Sequence, residues 1–222
     1  MQTTQAPSRS FCAKDNQIFD KILEARRSIR QFTGETPSKD AIEAVLQAGL
    51  LAPYGGLANT DNNDFRRFFI FSNKSTALEK LDQIIRKDAA QNAAKLELEM
   101  KGNQFLKKTA GPFLGMLSQI AQNGIPGLLQ SPCCMVVAER RSTPPVEKQA
   151  LAHTMQNIWL KATALGLGVR LLSAVSMLSE NEEFCALLEL PVGAFAFDCC
   201  IIGYAAHEPA PRVLPERHVR WL

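Results

Sequence analysis

The sequence predicts one domain in which helices and strands are mingled. Three observations carry that expectation. The chain has 222 residues with 46% hydrophobic and 21% charged, enough for one large packed core. Four short apolar runs of strand length punctuate it, and amphipathic stretches of helical period lie between them. No internal repeat and no second-domain boundary interrupts the pattern, so residues 17–222 read as one domain behind an N-terminal arm, residues 1–16.

Met1 to Lys14 are polar and aperiodic, as expected of a mobile arm. A first helix is predicted from about Asn16 to Arg27, with Ile18, Phe19, Ile22 and Leu23 apolar between Asp20, Lys21 and Glu24. After the turn Thr33-Gly34-Glu35-Thr36-Pro37, Ser38 reads as the N-cap of a helix with the stripe Ile42, Val45, Leu46, Leu50; Ala52-Pro53 stops it. Phe65 to Phe71 reads as a buried aromatic strand. Thr76 and Glu79 have capping-box spacing and open a long helix through Leu78, Leu81, Ile84 and Ile85, charged from Ala89 to Lys108. Gly111 to Leu129 is apolar but broken by Gly115, Gly124, Pro126 and Gly127, which suits either a lid or a packed corner.

Pro132 to Ala138 reads as a second buried strand. The best-defined helix follows, with Leu151, Met155, Ile158, Ala162 and Leu165 on one face and Gly166 ending it. Its other face, Ala150, Thr154, Asn157 and Lys161, is small or polar enough to meet a second subunit. A strand is expected over Val169–Ala174, then a short helix opened by Ser179 and Glu182, then a last core strand, Phe195–Tyr204. The tail holds Pro209, Pro211 and Pro215 and ends on Val219, Trp221 and Leu222, apolar enough to dock on the body or on a partner chain.

The net charge of +3 is too small and too scattered for a nucleic-acid coat. Apolar runs fall short of a membrane span and the N-terminus lacks an apolar signal core, so the expected compartment is the cytoplasm. Six cysteines and three dispersed histidines offer no Cys-x-x-Cys spacing, so no metal site is expected.

One stretch stands apart. Arg26-Arg27-Ser28-Ile29-Arg30 crowds three mutually repelling guanidiniums beside a hydroxyl. Arginine's planar fork suits a phosphate, which would relieve the repulsion; the alternative is a solvated helix end whose cations favour the C-terminal dipole. The loop Pro53-Tyr54-Gly55-Gly56, with Asn59, Asn62 and Asn63 beyond it, would let backbone and amides approach a ligand, or is a plain surface loop.

Taken with Arg26–Phe32, the segments Gln156–Ala162 leading into Ala164-Leu165-Gly166-Leu167-Gly168, and Ile202-Gly203-Tyr204 followed by Pro211-Arg212, resemble the FMN-dependent nitroreductase family in their order and spacing. The resemblance implies an α+β fold, a mixed sheet flanked by helices, and an intertwined homodimer with FMN at the subunit interface. It implies that Arg26, Arg27, Ser28 and Arg30 hold the flavin phosphate, ribityl chain and ring edge, with Arg212 completing the phosphate clamp. Pro53, Tyr54 and Gly55 would reach the flavin from the other subunit. Leu171, Leu172 and Ser173 would line its ring and offer backbone N–H groups. The implied activity is ping-pong hydride transfer from NADH or NADPH to a small flat acceptor such as a nitroaromatic or quinone. No side chain is assigned as nucleophile or general base. The family's usual loop has Ala-Pro-Ser and a later Pro-Trp; here Tyr54 replaces the serine and Pro-Trp is missing. That departure keeps open a dimer that binds or senses flavin without turnover.

Overall fold

The computed structural model describes residues 11–56 and 64–221. Asn59, Asn62, Asn63 and Leu222 lie outside the described residues, as does most of the N-terminal arm. The elements run α1 (Ala13–Ala25), α2 (Lys39–Leu50), β1 (Arg66–Ser72), α3 (Thr76–Gly102), α4 (Gln104–Thr109), α5 (Gly111–Asn123) and β2 (Cys133–Arg140). They continue with α6 (Glu147–Ala164), β3 (Gly168–Leu171), a 3-10 helix (Ser173–Glu180), α7 (Glu182–Leu187) and β4 (Phe195–Gly203). The class is α+β. No helix among the described residues is long and apolar enough to cross a membrane.

The sheet order is β1-β2-β4-β3, and all three ladders are antiparallel. The mixed character expected of it is confined to one parallel bridge, Ser28 with Val169. Because strand side chains alternate, β2 feeds two cores. Cys134, Val136 and Ala138 join α3, α5, the 3-10 helix and α7 on one face. Cys133, Met135 and Val137 join α2 and α6 on the other. Both faces are covered, so the run Pro-Cys-Cys-Met-Val-Val-Ala is apolar without a polar beat. Burial pushes the Cys133 thiol up to about 12 and raises that of Cys200, and the contact with Cys134 together with burial raises that of Cys199, so these cysteines act as packing groups.

Several boundaries differ from expectation for local reasons. Ser75, not Thr76, caps α3, its Oγ accepting from Leu78 N–H at 3.2 Å. Asn181 caps α7 by accepting from Phe184 N–H at 2.9 Å, because Ser179 lies inside the 3-10 helix with its hydroxyl taken by Arg141. Ser38 caps α2 as expected. The glycine-broken segment 111–129 is mostly the helix α5, whose Leu117 and Ile120 pack on α3. The expected strand 169–174 ends at Leu171, where the 3-10 helix takes over.

Three packing expectations for the body are corrected. β1 is an edge strand with Ile70 exposed and Arg66 buried, rather than a uniformly apolar strand. The Ala150–Thr154–Asn157 face of α6 packs inside its own chain: Thr154 Oγ donates to Glu139 at 3.0 Å, and Asn157 Nδ2 donates to the Ala48 carbonyl at 3.1 Å. Leu165 lies at the end of α6 and stays partly exposed. The tail leaves the body, with Val213, Leu214, Val219 and Trp221 exposed (Trp221 at 93%). Among the described residues these side chains find no apolar cover.

Candidate functional site

Helix α1 stops at Ala25, so the arginines follow it in extended backbone rather than lying on its last turn. This segment is laced to the end of the sheet. Ile29 N–H donates to the Val169 carbonyl at 3.1 Å, Thr33 N–H to the Tyr204 carbonyl at 2.9 Å, and Ala206 N–H to the Gln31 carbonyl at 3.0 Å. Two glycines make the approach possible. A Cβ on Gly168 would stand 2.4 Å from Ile29, and one on Gly203 would stand 2.7 Å from Pro132 and 3.1 Å from Phe32. The three separated motifs therefore meet in one place, through backbone pairing at the β3 edge.

α6 supplies the platform. The Arg26 guanidinium lies 4.5 Å from the Trp159 ring centroid, and Trp159 Nε1–H donates to the Arg27 carbonyl at 3.1 Å. Arg27 Nε donates to the Ala210 carbonyl at 3.2 Å, tying the start of the tail to the segment; its Nη1 donates to the Glu24 and Arg26 carbonyls. Burial holds Arg26 below the usual arginine range, and the charges of Arg212 and Arg27 add to this. Arg170 is lowered likewise by burial and by Arg30. Among the described residues none of Arg26, Arg27, Arg30, Arg170 and Arg212 has a carboxylate partner. Arg26, Arg27, Arg30 and Arg212, none of them ion-paired although Glu208 lines the adjoining groove, suit a multiply charged anion, while Arg170 stands apart in the wall of a second cavity.

A groove of about 490 Å³ runs beside them, lined by Arg27, Ser28, Arg30 and Gln31 on one side and His207–Ala210 on the other. A second cavity of about 400 Å³ lies between α3, α5 and the 3-10 helix, with Arg170, Leu171, Leu172 and Ser173 in its wall. Arg30 borders the groove and Arg170 the cavity, and the two side chains feel each other's charge.

The structure thus gathers Arg26, Arg27, Ser28, Arg30 and Arg212, with Leu171, Leu172 and Ser173 at the neighbouring strand end. Leu172 departs from its expected role. Its side chain is buried and its N–H donates to the Cys199 carbonyl at 2.8 Å, closing the sheet. Ser173, exposed at the head of the 3-10 helix, is free of that ladder.

Pro53, Tyr54 and Gly55 sit elsewhere. They follow α2 beside β1, at one edge of the sheet, whereas Ser28 meets β3 at the other. The Tyr54 hydroxyl donates to the Arg140 carbonyl at 2.9 Å, and its ring stacks on Phe65 with centroids 4.5 Å apart. Ring and hydroxyl together anchor Tyr54, and with it the loop, within its own chain. Under the loop, buried Arg66 donates to the carbonyls of Gly49 (2.8 Å) and Ala52 (2.9 Å), and pairs with Glu139 at 2.5 Å.

Sequence reasoning had assigned no role to Trp159, Arg170 or the Arg66–Glu139 pair. Arg170 had a signal, as the only charge in Leu167–Leu172. Trp159 lies within the Gln156–Ala162 segment. Nothing local marks Arg66 as buried.

With the geometry in place, comparison with known proteins is informative. A model of the Nitroreductase family matches residues 23–204. No curated protein matches. The fold is similar to an FMN-bound nitroreductase from Bacteroides fragilis (TM-score 0.63, 21% identity, 91% of this chain and 94% of that one). It is equally similar to an FMN-bound nitroreductase from Desulfitobacterium hafniense (TM-score 0.63, 23% identity, 92% and 98%). A putative nitroreductase from Desulfovibrio desulfuricans in complex with FMN aligns at TM-score 0.58 and 20% identity, over 89% and 91%.

Proposed function

This chain belongs to the nitroreductase family, and from that premise we propose that it is an FMN-dependent NAD(P)H oxidoreductase acting on a small flat acceptor, as a cytoplasmic homodimer. The observation that carries the reading is the set of uncompensated arginines along a groove that adjoins an apolar cavity. That donor set fits a ribityl phosphate at the Arg26–Ser28–Arg212 end and a planar ring at the Arg30–Ser173 end. The solved structures with FMN named above support the choice of flavin.

When bound, FMN supplies two-electron exchange, first with NAD(P)H and then with an acceptor taken into the same space, hence ping-pong kinetics. The chain's own residues do the rest. Arg26, Arg27 and Arg212 bind the phosphate as charge-assisted donors, and Ser28 adds a hydroxyl. Trp159 orients Arg26 by holding its guanidinium over the indole face. Arg30 places positive charge beside the ring, which favours electron density there. Leu171 and the α5 side chains lining the cavity would keep water away from a ring held there. Nothing in this arrangement requires a nucleophile or a general base.

Two features of one protomer support the dimer. The Pro53–Gly55 loop lies across the sheet from the arginines, and Val213, Leu214, Val219 and Trp221 stand exposed. A second copy would cover the tail and bring its loop to this chain's groove.

An absorption spectrum of purified protein after incubation with FMN, then with NADH or NADPH, tests the proposal. Flavin bands that stay with the protein through gel filtration and bleach with reduced nicotinamide are expected. Bound flavin that does not bleach would instead favour a flavin-storing or flavin-sensing dimer. A preparation that stays colourless would rule out both.

A further inference from the structure

The cavity between α3, α5 and the 3-10 helix has an unusual composition for a surface that meets water. Four of the molecule's exposed apolar side chains, Phe113, Met116, Leu171 and Met177, converge on it. Its volume of about 400 Å³ suits a single small organic molecule. Two of the four are methionines, which adapt to flat or irregular shapes.

Only two charged residues line it. Asp88 turns its carboxyl to Asn92 Nδ2 (2.7 Å) and forms no ion pair with the cavity's cation among the described residues. That cation is Arg170. One of its nitrogens donates to the Pro126 carbonyl at the turn after α5; the guanidinium has like-charged Arg30 beside it and no carboxylate partner among the described residues. An apolar chamber with a single half-buried, uncompensated guanidinium recognises an apolar body joined to one anionic group.

We propose that this cavity is the acceptor subsite, and that Arg170 makes it selective for aromatic carboxylates over neutral aromatics of the same shape. The inference rests on the flavin reading above and names the acceptor class for that site. For a nitro acid the balanced conversion is NAD(P)H + H⁺ + Ar–NO₂ → NAD(P)⁺ + Ar–NO + H₂O. The nicotinamide loses two electrons, the nitro group gains them, and one N–O bond breaks with its oxygen leaving as water.

The probes are 4-nitrobenzoate against 4-nitrobenzamide for turnover, and 2-naphthoate against 2-naphthamide for binding by calorimetry, with FMN-loaded protein. One charge-assisted hydrogen bond predicts about a tenfold preference for each acid, carried by KM and by Kd. Arg170→Gln should equalise acid and amide, Arg170→Lys should restore part of the preference, and neither should change FMN retention. Equal affinity for naphthoate and naphthamide in the unmutated protein overturns the proposal. So does an Arg170→Gln variant that loses FMN while keeping the acid preference, because Arg170 would then belong to the cofactor. Failure of the parent reading looks different: no flavin is retained, or none is bleached by NADH. The naphthoate comparison on the same chain still decides the role of Arg170 in that case.

Discussion

Replacing Arg66 with Met cuts the joint that holds the Ala52–Pro53–Tyr54 turn to the sheet. In the native protein Arg66 is 7% exposed and Glu139 is 0% exposed, paired across β1 and β2 at 2.5 Å. The same guanidinium donates to the carbonyls of Gly49, at the end of α2, and of Ala52, just beyond it, and so ties the helix end and the turn to the sheet. Removing one partner of a buried pair strands the other charge, at a cost of about 3–5 kcal/mol. Each lost carbonyl contact adds about 1 kcal/mol or less, because water can reach part of a helix end. The expected loss is therefore about 3–7 kcal/mol, a large share of the roughly 5–15 kcal/mol typical of a domain.

The pH dependence gives a second handle. Burial already raises the Glu139 carboxyl, against the opposing pull of Arg66 and Thr154. Without Arg66 its folded pKa rises further above the unfolded value, so the folded state holds an extra proton and stability falls as pH rises through that window. Urea midpoints at about pH 5 and about pH 8, with m-values compared, should show the larger loss at the higher pH. Adding Glu139→Gln to the Arg66→Met background should recover part of it, since a neutral amide is easier to bury alone. A loss below about 1 kcal/mol, or one equal at both pH values, would refute the reasoning.

Three further outcomes follow from individual contacts. Arg212→Ala should weaken FMN retention by about 1.5–3 kcal/mol, roughly ten- to a hundredfold in Kd, measured by flavin fluorescence on dilution; an unchanged Kd would remove Arg212 from the phosphate site. Tyr54→Phe should cost about 1 kcal/mol in urea denaturation by losing the bond to the Arg140 carbonyl, while leaving the ranking of acceptors by size unchanged; a changed ranking would mean that Tyr54 faces the pocket after all. Asp198, on β4, has its carboxyl raised by burial, so wild-type stability should decline as pH rises above about 4 through its folded pKa. Asp198→Asn lacks that titration, and its stability relative to wild type should grow over the same range; a constant difference would show that Asp198 is not desolvated.

Much of this architecture was legible because the signals for it are short-range. The apolar beat of Leu151, Met155, Ile158 and Ala162 marks a helix face whichever partner it meets, and all four are buried. Uninterrupted apolarity in Cys133–Ala138 implies a strand covered on both sides, and both cores draw on it. Likewise the repulsion within Arg26–Arg30 demanded an anion or solvent before any fold was known. What escaped were contacts made across the chain. Phe65–Phe71 reads as a buried aromatic strand, yet it lies at the sheet edge with Arg66 turned inward, because a carboxylate 73 residues later waits at its register position. Ala150, Thr154 and Asn157 look suited to a partner subunit until β2 and α2 take them.

The order of helices and strands, the apolar faces and the cationic cluster belong to the sequence alone, since each depends on residues within a few turns of one another. Which charges are buried, where Tyr54 points and that Arg170 stands beside Arg30 were decided by tertiary structure. Burial and charge pairing are set by distance in space, and chain pairing at the two edges of the sheet brings distant segments to those distances.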